Sequence, residues 1–191
     1  MEIIGSKNFI TFAKVLKPDT CMQIIDTFDN DPVRRAGQVN SDDYSKVLNI
    51  KLSTDADITD RGVWRQLFRV VNPILLQTLQ QIAIGFPALK GLDLGCTGFV
   101  VQHYRQGEGK FDWHWDAGGK QSRNRVLAMV CYLNDVAEGG ETAFLHQDTA
   151  VKPQAGHAVF FPTGWTHVHR SNVPVSDDKY IISSFLEIND T

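Results

Sequence analysis

The sequence predicts a mainly β-structured domain, an antiparallel sandwich or jelly roll, preceded by helices. Before Gly85, apolar residues recur every three or four positions, which is typical of the buried stripe of an amphipathic helix. After Gly85, short apolar or alternating segments are separated by Gly, Asp, Asn and Pro, as in strands joined by turns. The length of 191 residues suits one domain with one substantial core.

The N-terminal part is predicted to supply two helices. The first begins at Pro18 and ends before Asp31-Pro32, with its apolar residues on one face. The second covers Arg61 to Ala83, and Pro73 should kink or restart it. Between them, the polar and acidic segment 31–60 is expected to wrap the core as loops plus an edge strand within Lys46 to Ser53.

Seven strands are predicted after the second helix. They are Thr97–Arg105, Lys110–Trp115, Arg125–Asn134, Glu141–Leu145, His157–Phe161, Trp165–His169 and Lys179–Ile188. No repeat, low-complexity tract or linker divides the chain. We therefore expect a single domain, 1–191, in which residues 1–90 give helical support and edge strands and residues 91–191 form the core that carries the chemistry.

Composition excludes several classes of protein. Lys plus Arg number 19 against 22 Asp plus Glu, a net charge of −3, so the basic excess needed to bind nucleic acid is missing. Three cysteines are too few for a disulfide scaffold. The sequence shows neither a secretory signal nor an apolar run of about 18 residues. We expect a reduced, soluble, cytoplasmic protein without membrane contact.

A metal site is predicted from the triplet His114-Trp115-Asp116. Residues two apart on a strand point to the same face, so the imidazole and the carboxylate would converge. A third ligand candidate, His167, lies on a later predicted strand, and His169 shares its face. Two histidines and one carboxylate form the set that holds Fe(II) in non-haem oxygenases and leaves positions open.

Several further pieces occur in a fixed order between Val100 and Ile188. They are Tyr104 ten residues before His114, the His114-Trp115-Asp116 triplet, Cys131-Tyr132-Leu133-Asn134, Glu138-Gly139-Gly140-Glu141-Thr142, Pro153 to Gly156 leading into Val159-Phe160-Phe161-Pro162, then His167 and Lys179. This ordered set resembles the Fe(II)/2-oxoglutarate-dependent dioxygenase superfamily, specifically its prolyl 4-hydroxylase-like branch. The resemblance implies a double-stranded β-helix, the cupin-like form of the jelly roll, buttressed by helices.

The resemblance also implies an activity and its cofactors. An enzyme of this superfamily hydroxylates an unactivated C–H bond and couples this to decarboxylation of 2-oxoglutarate to succinate and carbon dioxide. The implied cofactors are Fe(II), 2-oxoglutarate as cosubstrate and O2, and the resemblance allows for ascorbate in addition. A non-catalytic jelly-roll binding module is the alternative from a different class, and it would not need the metal ligands and Lys179 together.

Residue roles follow from the resemblance. His114, Asp116 and His167 would hold iron, and Lys179 would pair with the distal carboxylate of 2-oxoglutarate. The cosubstrate pocket would also include two tyrosines, Tyr132 and Tyr104.

The choice between His167 and His169 remains open on spacing alone. Lys179 follows them by 12 and 10 residues, and both spacings occur in the family. The run Phe-Pro-x-x-Trp-x-His aligns His167 with the family's second histidine, so His167 is the preferred ligand. No function is predicted for His146 or His157.

The substrate is predicted from the family branch alone. A prolyl residue in a peptide or protein is the first expectation, and a free amino acid or other small metabolite is the alternative. Loops at 31–45 and 117–124 would form either a peptide groove or a closed lid over the site.

Overall fold

The computed structural model describes residues 1–37 and 50–189. Within these ranges it has fourteen strands, two α-helices and three short 3₁₀ turns, at Gly62–Trp64, Pro87–Leu89 and Trp165–His167. The helices are α1 (Pro18–Asp29) and α2 (Arg65–Ile84). The strands are β1 (Glu2–Lys7), β2 (Ile10–Lys14), β3 (Arg35–Ala36), β4 (Lys51–Leu52), β5 (Thr54–Ile58), β6 (Leu94–Cys96), β7 (Phe99–Tyr104), β8 (Lys110–His114), β9 (Arg125–Tyr132), β10 (Thr142–Phe144), β11 (Thr149–Val151), β12 (His157–Pro162), β13 (His169–Ser171) and β14 (Lys179–Ile188).

Two antiparallel sheets form the jelly roll. The larger has nine strands in the order β1-β2-β12-β9-β14-β7-β5-β3, with β6 paired to β14. The smaller has the order β11-β10-β13-β8-β4. This arrangement confirms the predicted antiparallel jelly roll, with helices supplied by the N-terminal part of the chain.

Strands of the larger sheet carry buried side chains on both faces, because successive side chains of a strand point in opposite directions. On β12, Val159 and Phe161 join the cluster that lies inside the jelly roll, whereas Ala158 and Phe160 join the cluster that includes the helices. The helical contribution to that outer cluster comes from buried residues of α1 and α2, among them Cys21, Ile24, Phe28, Leu75 and Leu79. The helices therefore cover one face of the sheet and leave its other face to build the pocket.

Two local predictions differ from the structure, and an N-terminal hairpin was missed. Helix α2 runs without interruption through Pro73, because buried Val71 and Leu75 hold both sides of the proline against the sheet. The predicted strand Trp165–His169 is a 3₁₀ turn followed by β13, and the turn is closed by the bond from His167 N to Gly164 O (2.9 Å). The N-terminal hairpin of β1 and β2 was not predicted.

The segment between α1 and α2 is described only in part. Residues 46–49 of the predicted edge strand, and most of the predicted lid at 31–45, lie outside the described residues. The described remainder contributes β3 and β5 to the larger sheet and β4, an edge strand, to the smaller sheet. None of the helices described is long and apolar enough to cross a membrane.

Candidate metal centre and cofactor pocket

A bulge in β8 aims two neighbouring aromatic rings into the jelly roll. His114 lies opposite His169 of β13, and Phe111 lies opposite Ser171. The interval between the two pairs is three residues on β8 but only two on β13, so β8 carries one extra residue. The extra residue breaks the strict alternation of side chains. Phe111 therefore stacks flat on His114, with ring centroids 3.5 Å apart and planes within 10°.

The trio His114, Asp116 and His169 brings three potential metal ligands together. Asp116 lies in the turn after β8. Its Oδ1 lies 3.6 Å from Nε2 of His114, and its Oδ2 lies 3.7 Å from Nε2 of His169. All three ligand atoms are within 4.8 Å of one another. Atoms bound at about 2.1 Å to one metal ion stand roughly 3–3.5 Å apart, so a small contraction suffices to close the set.

Backbone carbonyls orient both imidazoles of the trio. Nδ1 of His114 donates to the carbonyl of Asp112 (2.7 Å), and Nδ1 of His169 donates to the carbonyl of His167 (3.0 Å). Since a carbonyl only accepts, the ring proton is on Nδ1 in each case. The Nε2 lone pairs therefore face Asp116 and are free to bind a metal ion.

The charge states of the trio suit a divalent cation. Burial lowers the pKa of His169 to about 4, so this imidazole is neutral at pH 7. Burial alone would raise the pKa of Asp116, but its electrostatic surroundings, which include the guanidinium of Arg125, hold the pKa below its usual value. Neutral imidazoles and an ionised carboxylate, with one side open to a cavity, are the donor set that fits Fe(II).

The structure corrects the choice of His167. Its ring is 4% exposed and points to the N-terminal hairpin, where Nε2 donates to the carbonyl of Asn8 (3.1 Å). Nδ1 pairs with the hydroxyl of Thr166 (3.1 Å), so neither nitrogen faces the trio. Two residues on a strand would share a face, but the 3₁₀ turn at Trp165–His167 turns the ring of His167 away from that of His169.

Lys179 is a buried cation at the inner end of the same cavity. It is 1% exposed and donates to the carbonyl of Gly140 (2.9 Å) and to the hydroxyl of Ser171. No carboxylate within the described ranges lies in ion-pair distance of its ammonium group. Burial lowers the pKa of Lys179 to about 7. An ammonium group buried without an anion is costly, and a carboxylate ligand would offset that cost.

The two predicted tyrosines take different places around Lys179. The ring of Tyr104 lies 4.6 Å from the Lys179 ammonium and borders the cavity, while its hydroxyl donates to Gln102 (2.8 Å). The hydroxyl of Tyr132 donates to Thr142 (2.8 Å), and Thr142 borders the cavity. Tyr132 therefore orients the hydroxyl of Thr142, and Tyr104 presents its ring face to Lys179.

One cavity of about 450 Å³ connects the trio with Lys179. At its mouth, Trp113 and Trp115 are 38% and 45% exposed. The predicted mouth loop 117–124 borders the cavity through Gly118, Gly119 and Ser122. The cavity is therefore lined by partly exposed aromatic rings at its mouth, by the trio and by the buried Lys179 at its inner end.

Three charged residues of the cavity wall were missed from the sequence. Lys51 and Asp55 form an ion pair (2.9 Å) with side chains only 2% and 7% exposed. The guanidinium of Arg125 lies 3.9 Å from the ring centre of Phe185, and its Nε is buried without a hydrogen-bond partner among the described residues. The opposite charges of Lys51 and Asp55, four residues apart, were visible in the sequence, but nothing local indicated that the pair is buried.

We expect Lys51→Ala to lower the free energy of unfolding by about 3–5 kcal/mol, because it leaves the carboxylate of Asp55 buried without its partner. The double variant Lys51→Met with Asp55→Leu should lose much less, since no charge stays buried. Urea unfolding followed by circular dichroism measures both. Arg65→Ala, which removes an exposed contact to Asp60, is the control and should cost under about 1 kcal/mol. A single variant as stable as this control would contradict the prediction.

The fold and the site define a cupin-like jelly-roll protein with a non-haem iron type of metal centre. Residues 99–187 match the family model of the 2OG-Fe(II) oxygenase superfamily. This match covers just under half of the chain and includes the trio and Lys179, so this part of the chain resembles the superfamily.

The comparisons include one curated protein and several solved structures. The chain is 28% identical over 119 residues to a probable prolyl 4-hydroxylase 9 of Arabidopsis thaliana, a match covering 48% of this chain and 41% of that protein. It thus spans well under half the length of this relative. The viral collagen prolyl hydroxylase of Paramecium Bursaria Chlorella virus-1 has a TM-score of 0.72 at 16% identity, covering 95% of this chain and 97% of the other. A prolyl hydroxylase of Trichoplax adhaerens, solved with a hypoxia inducible factor peptide, has a TM-score of 0.77 at 15% identity, covering 95% and 84%.

Proposed function

We propose that the protein is a non-haem Fe(II)- and 2-oxoglutarate-dependent dioxygenase that hydroxylates an unactivated C–H bond. The observation that carries this proposal is one cavity lined by the trio and, at its inner end, by an ammonium group that has no carboxylate partner among the described residues. Residues 91–191 would carry the chemistry of a single domain, and residues 1–90 would support it and add Lys51 and Asp55 to the wall.

In this function His114, Asp116 and His169 hold the iron. With 2-oxoglutarate and O2, bound Fe(II) supplies the oxidising power for cleaving the C–H bond, and the cosubstrate leaves as succinate and carbon dioxide. The trio occupies one side of the metal position and leaves the cavity side open. Asp112 and His167 keep the two Nε2 atoms aimed at that position through their carbonyls.

Lys179 binds the distal carboxylate of 2-oxoglutarate in this proposal. Its ammonium group has three donors, and a carboxylate would add a charge-assisted bond to those with Gly140 and Ser171. The hydroxyl of Thr142, held by Tyr132, lies in the same wall and can donate to the carboxylate as well. Apolar neighbours such as Ile181 exclude water there and strengthen the charge interaction.

The substrate we propose is a prolyl residue in a peptide or protein. The names of the similar proteins, one of them solved with a peptide, support this assignment. The aromatic mouth formed by Trp113 and Trp115 also supports it, because proline-rich segments bind aromatic-lined grooves. Arg125 also lines the cavity, and its guanidinium would donate to a substrate carbonyl beside the metal position.

Anaerobic titration with Fe(II) and 2-oxoglutarate tests the proposed activity. A weak visible charge-transfer band should form only when both are present, because the cosubstrate chelates the iron. His114→Ala is expected to lose the band, since one of three protein ligands is gone. No band in the unaltered protein, or an unchanged band in the variant, would show that the trio is not an iron site of this kind.

A substrate screen follows the titration. Proline-containing peptides, free amino acids and small metabolites are incubated with Fe(II), 2-oxoglutarate and O2, and succinate release is measured. Succinate formation that depends on a proline-containing peptide supports the prolyl assignment. Stimulation by a free amino acid alone would favour the small-molecule alternative.

Binding of 2-oxoglutarate should weaken as the pH rises above about 7. Only the ammonium form of Lys179 attracts a carboxylate, and burial lowers the pKa of this group to about 7 in the free protein. Because the bound anion favours the ammonium form, binding at about pH 8 should take up a proton. Titration calorimetry of the Fe(II)-loaded protein under nitrogen, in two buffers of different ionisation enthalpy, measures this uptake. Lys179→Met should show none; an equal uptake in both proteins would contradict the assignment.

A further inference from the structure

The ring of His167 lies between the N-terminal hairpin and the turn that precedes the metal-binding strand β13. We propose that His167 is a positioning residue that ties the hairpin turn at Asn8 and Phe9 to the iron ligand His169. The inference rests on the proposed function, since it assigns the residue a role in how the trio holds its metal. It concerns contacts on the far side of β13 from the cavity.

The hairpin turn has an unusual conformation. Asn8 and Phe9 connect β1 to β2 with φ angles of 51° and 64°, both in the left-handed region. Two-residue hairpin turns of this kind favour Asn-Gly, and a bulky residue is uncommon in the second place. Phe9 is 67% exposed, so burial does not explain its presence. Its ring meets that of His167 edge-on, with centroids 6.5 Å apart.

The side chain of His167 fastens this turn. Nε2 donates to the carbonyl of Asn8 at 3.1 Å, a contact between residues 159 positions apart in the chain. Nδ1 accepts from the hydroxyl of Thr166 at 3.1 Å, which leaves the ring proton on Nε2 for Asn8. With both nitrogens occupied and 4% of the residue exposed, the ring has one orientation.

The backbone of His167 reaches the metal centre. Its carbonyl accepts the Nδ1 proton of His169 at 3.0 Å and so sets which nitrogen of His169 is free for the metal. On the other side, the turn is held by Gln147, whose Nε2 donates to the carbonyl of Thr166 at 2.8 Å. The carbonyl that orients His169 therefore belongs to a turn held by the hairpin and by Gln147, and Val168 after the turn accepts a bond from Leu145 N (2.9 Å).

Loss of the hydrogen bond between His167 and Asn8 should weaken metal binding. Removing the His167 ring frees one side of the turn, so its carbonyl no longer holds the His169 ring in a single orientation. Groups that orient a metal ligand change metal affinity by about 10–100-fold when they are removed. The effect is indirect, since His167 touches neither the metal position nor the cavity.

Titration of the full chain with Co(II), an oxygen-stable probe of the iron site, tests the proposal. His167→Ala should lower Co(II) affinity about tenfold and change the visible ligand-field spectrum. His167→Gln keeps a donor for the Asn8 carbonyl, and it should restore affinity to within about threefold of the unaltered protein. A purely structural role would lower thermal stability in His167→Ala without altering the spectrum of the Co(II)-saturated protein.

A second pair of variants alters the anchor from the hairpin side. Phe9→Pro cannot adopt a positive φ and should displace the Asn8 carbonyl, whereas Phe9→Gly keeps the turn. Phe9→Pro is expected to reproduce the loss of Co(II) affinity, and Phe9→Gly to bind within about threefold of the unaltered protein. If His167→Ala does not fold, the two Phe9 variants test the positioning role of His167 without it. Wild-type affinity and spectrum in Phe9→Pro and in folded His167→Ala would overturn the positioning role, whereas an unaltered protein that binds no Co(II) would overturn the proposed function itself.

Discussion

Replacing His169 with alanine should lower the affinity for Fe(II) by at least about 100-fold, since the loss of an outer partner alone costs about 10–100-fold. The side chain of His169 supplies one of the three ligand atoms that the structure brings together. Its loss also leaves Asp116 with one imidazole neighbour instead of two. Anaerobic titration monitored by the absorbance of a competing chelator gives the affinity. His167→Ala, measured in parallel, should lose about tenfold, as expected of a residue that acts through its neighbour.

The control for this comparison is His157→Ala. His157 is a partly buried histidine whose Nδ1 contacts the carbonyl of Ala155, so its removal tests the loss of a histidine as such. Fe(II) affinity should remain at the wild-type level in this variant. If His169→Ala retained iron and His167→Ala lost it, His167 would be the iron ligand, as predicted from the sequence.

Lys179→Met should raise the half-saturating concentration of 2-oxoglutarate by about 30-fold or more. Methionine fills similar space but has no charge and no donor, so the distal carboxylate would lie in a buried site without a partner. Truncating one member of a buried charge pair costs about 2–5 kcal/mol, and the lower figure corresponds to about 30-fold. Fe(II) affinity should stay unchanged, because Lys179 is not part of the trio.

Two comparisons make the Lys179 result specific. Lys152→Met removes an exposed lysine and should leave the half-saturating concentration at its wild-type level. Succinate release at varied 2-oxoglutarate concentrations measures the effect in both variants, and direct titration under nitrogen separates binding from turnover. Equal requirements in Lys179→Met and the unaltered protein would place the cosubstrate elsewhere.

Periodicity predicted those parts of the fold that are set by local burial. The continuous apolar run at Val159 to Phe161 reflects a strand buried on both faces, and the apolar stripe from Arg65 to Ile84 reflects a helix packed on one side. The His114-Trp115-Asp116 triplet indicated the candidate metal site, because the end of β8 and the turn after it are adjacent in the chain. Such features need no distant partner to be recognised.

The remaining features depend on contacts between distant parts of the chain. The 3₁₀ turn that separates the His167 ring from that of His169 is held by Asn8, far away in sequence, so the local run Phe-Pro-x-x-Trp-x-His could not show that the His167 ring faces away from the trio. Lys51 is buried because a two-residue strand pairs with β8, and no local pattern specifies that register. The Asn8-Phe9 hairpin lacks the usual glycine and therefore gave no turn signal.

The depth of Lys179 has a kinetic consequence. Lys179 is 1% exposed, and the cavity that it lines is also lined by the trio and by the partly exposed Trp113 and Trp115, so we expect a ligand to reach it from that side. A substrate seated at the mouth blocks that route. The cosubstrate must therefore enter first and its product must leave last, and excess substrate should inhibit turnover by occupying the protein before 2-oxoglutarate has bound.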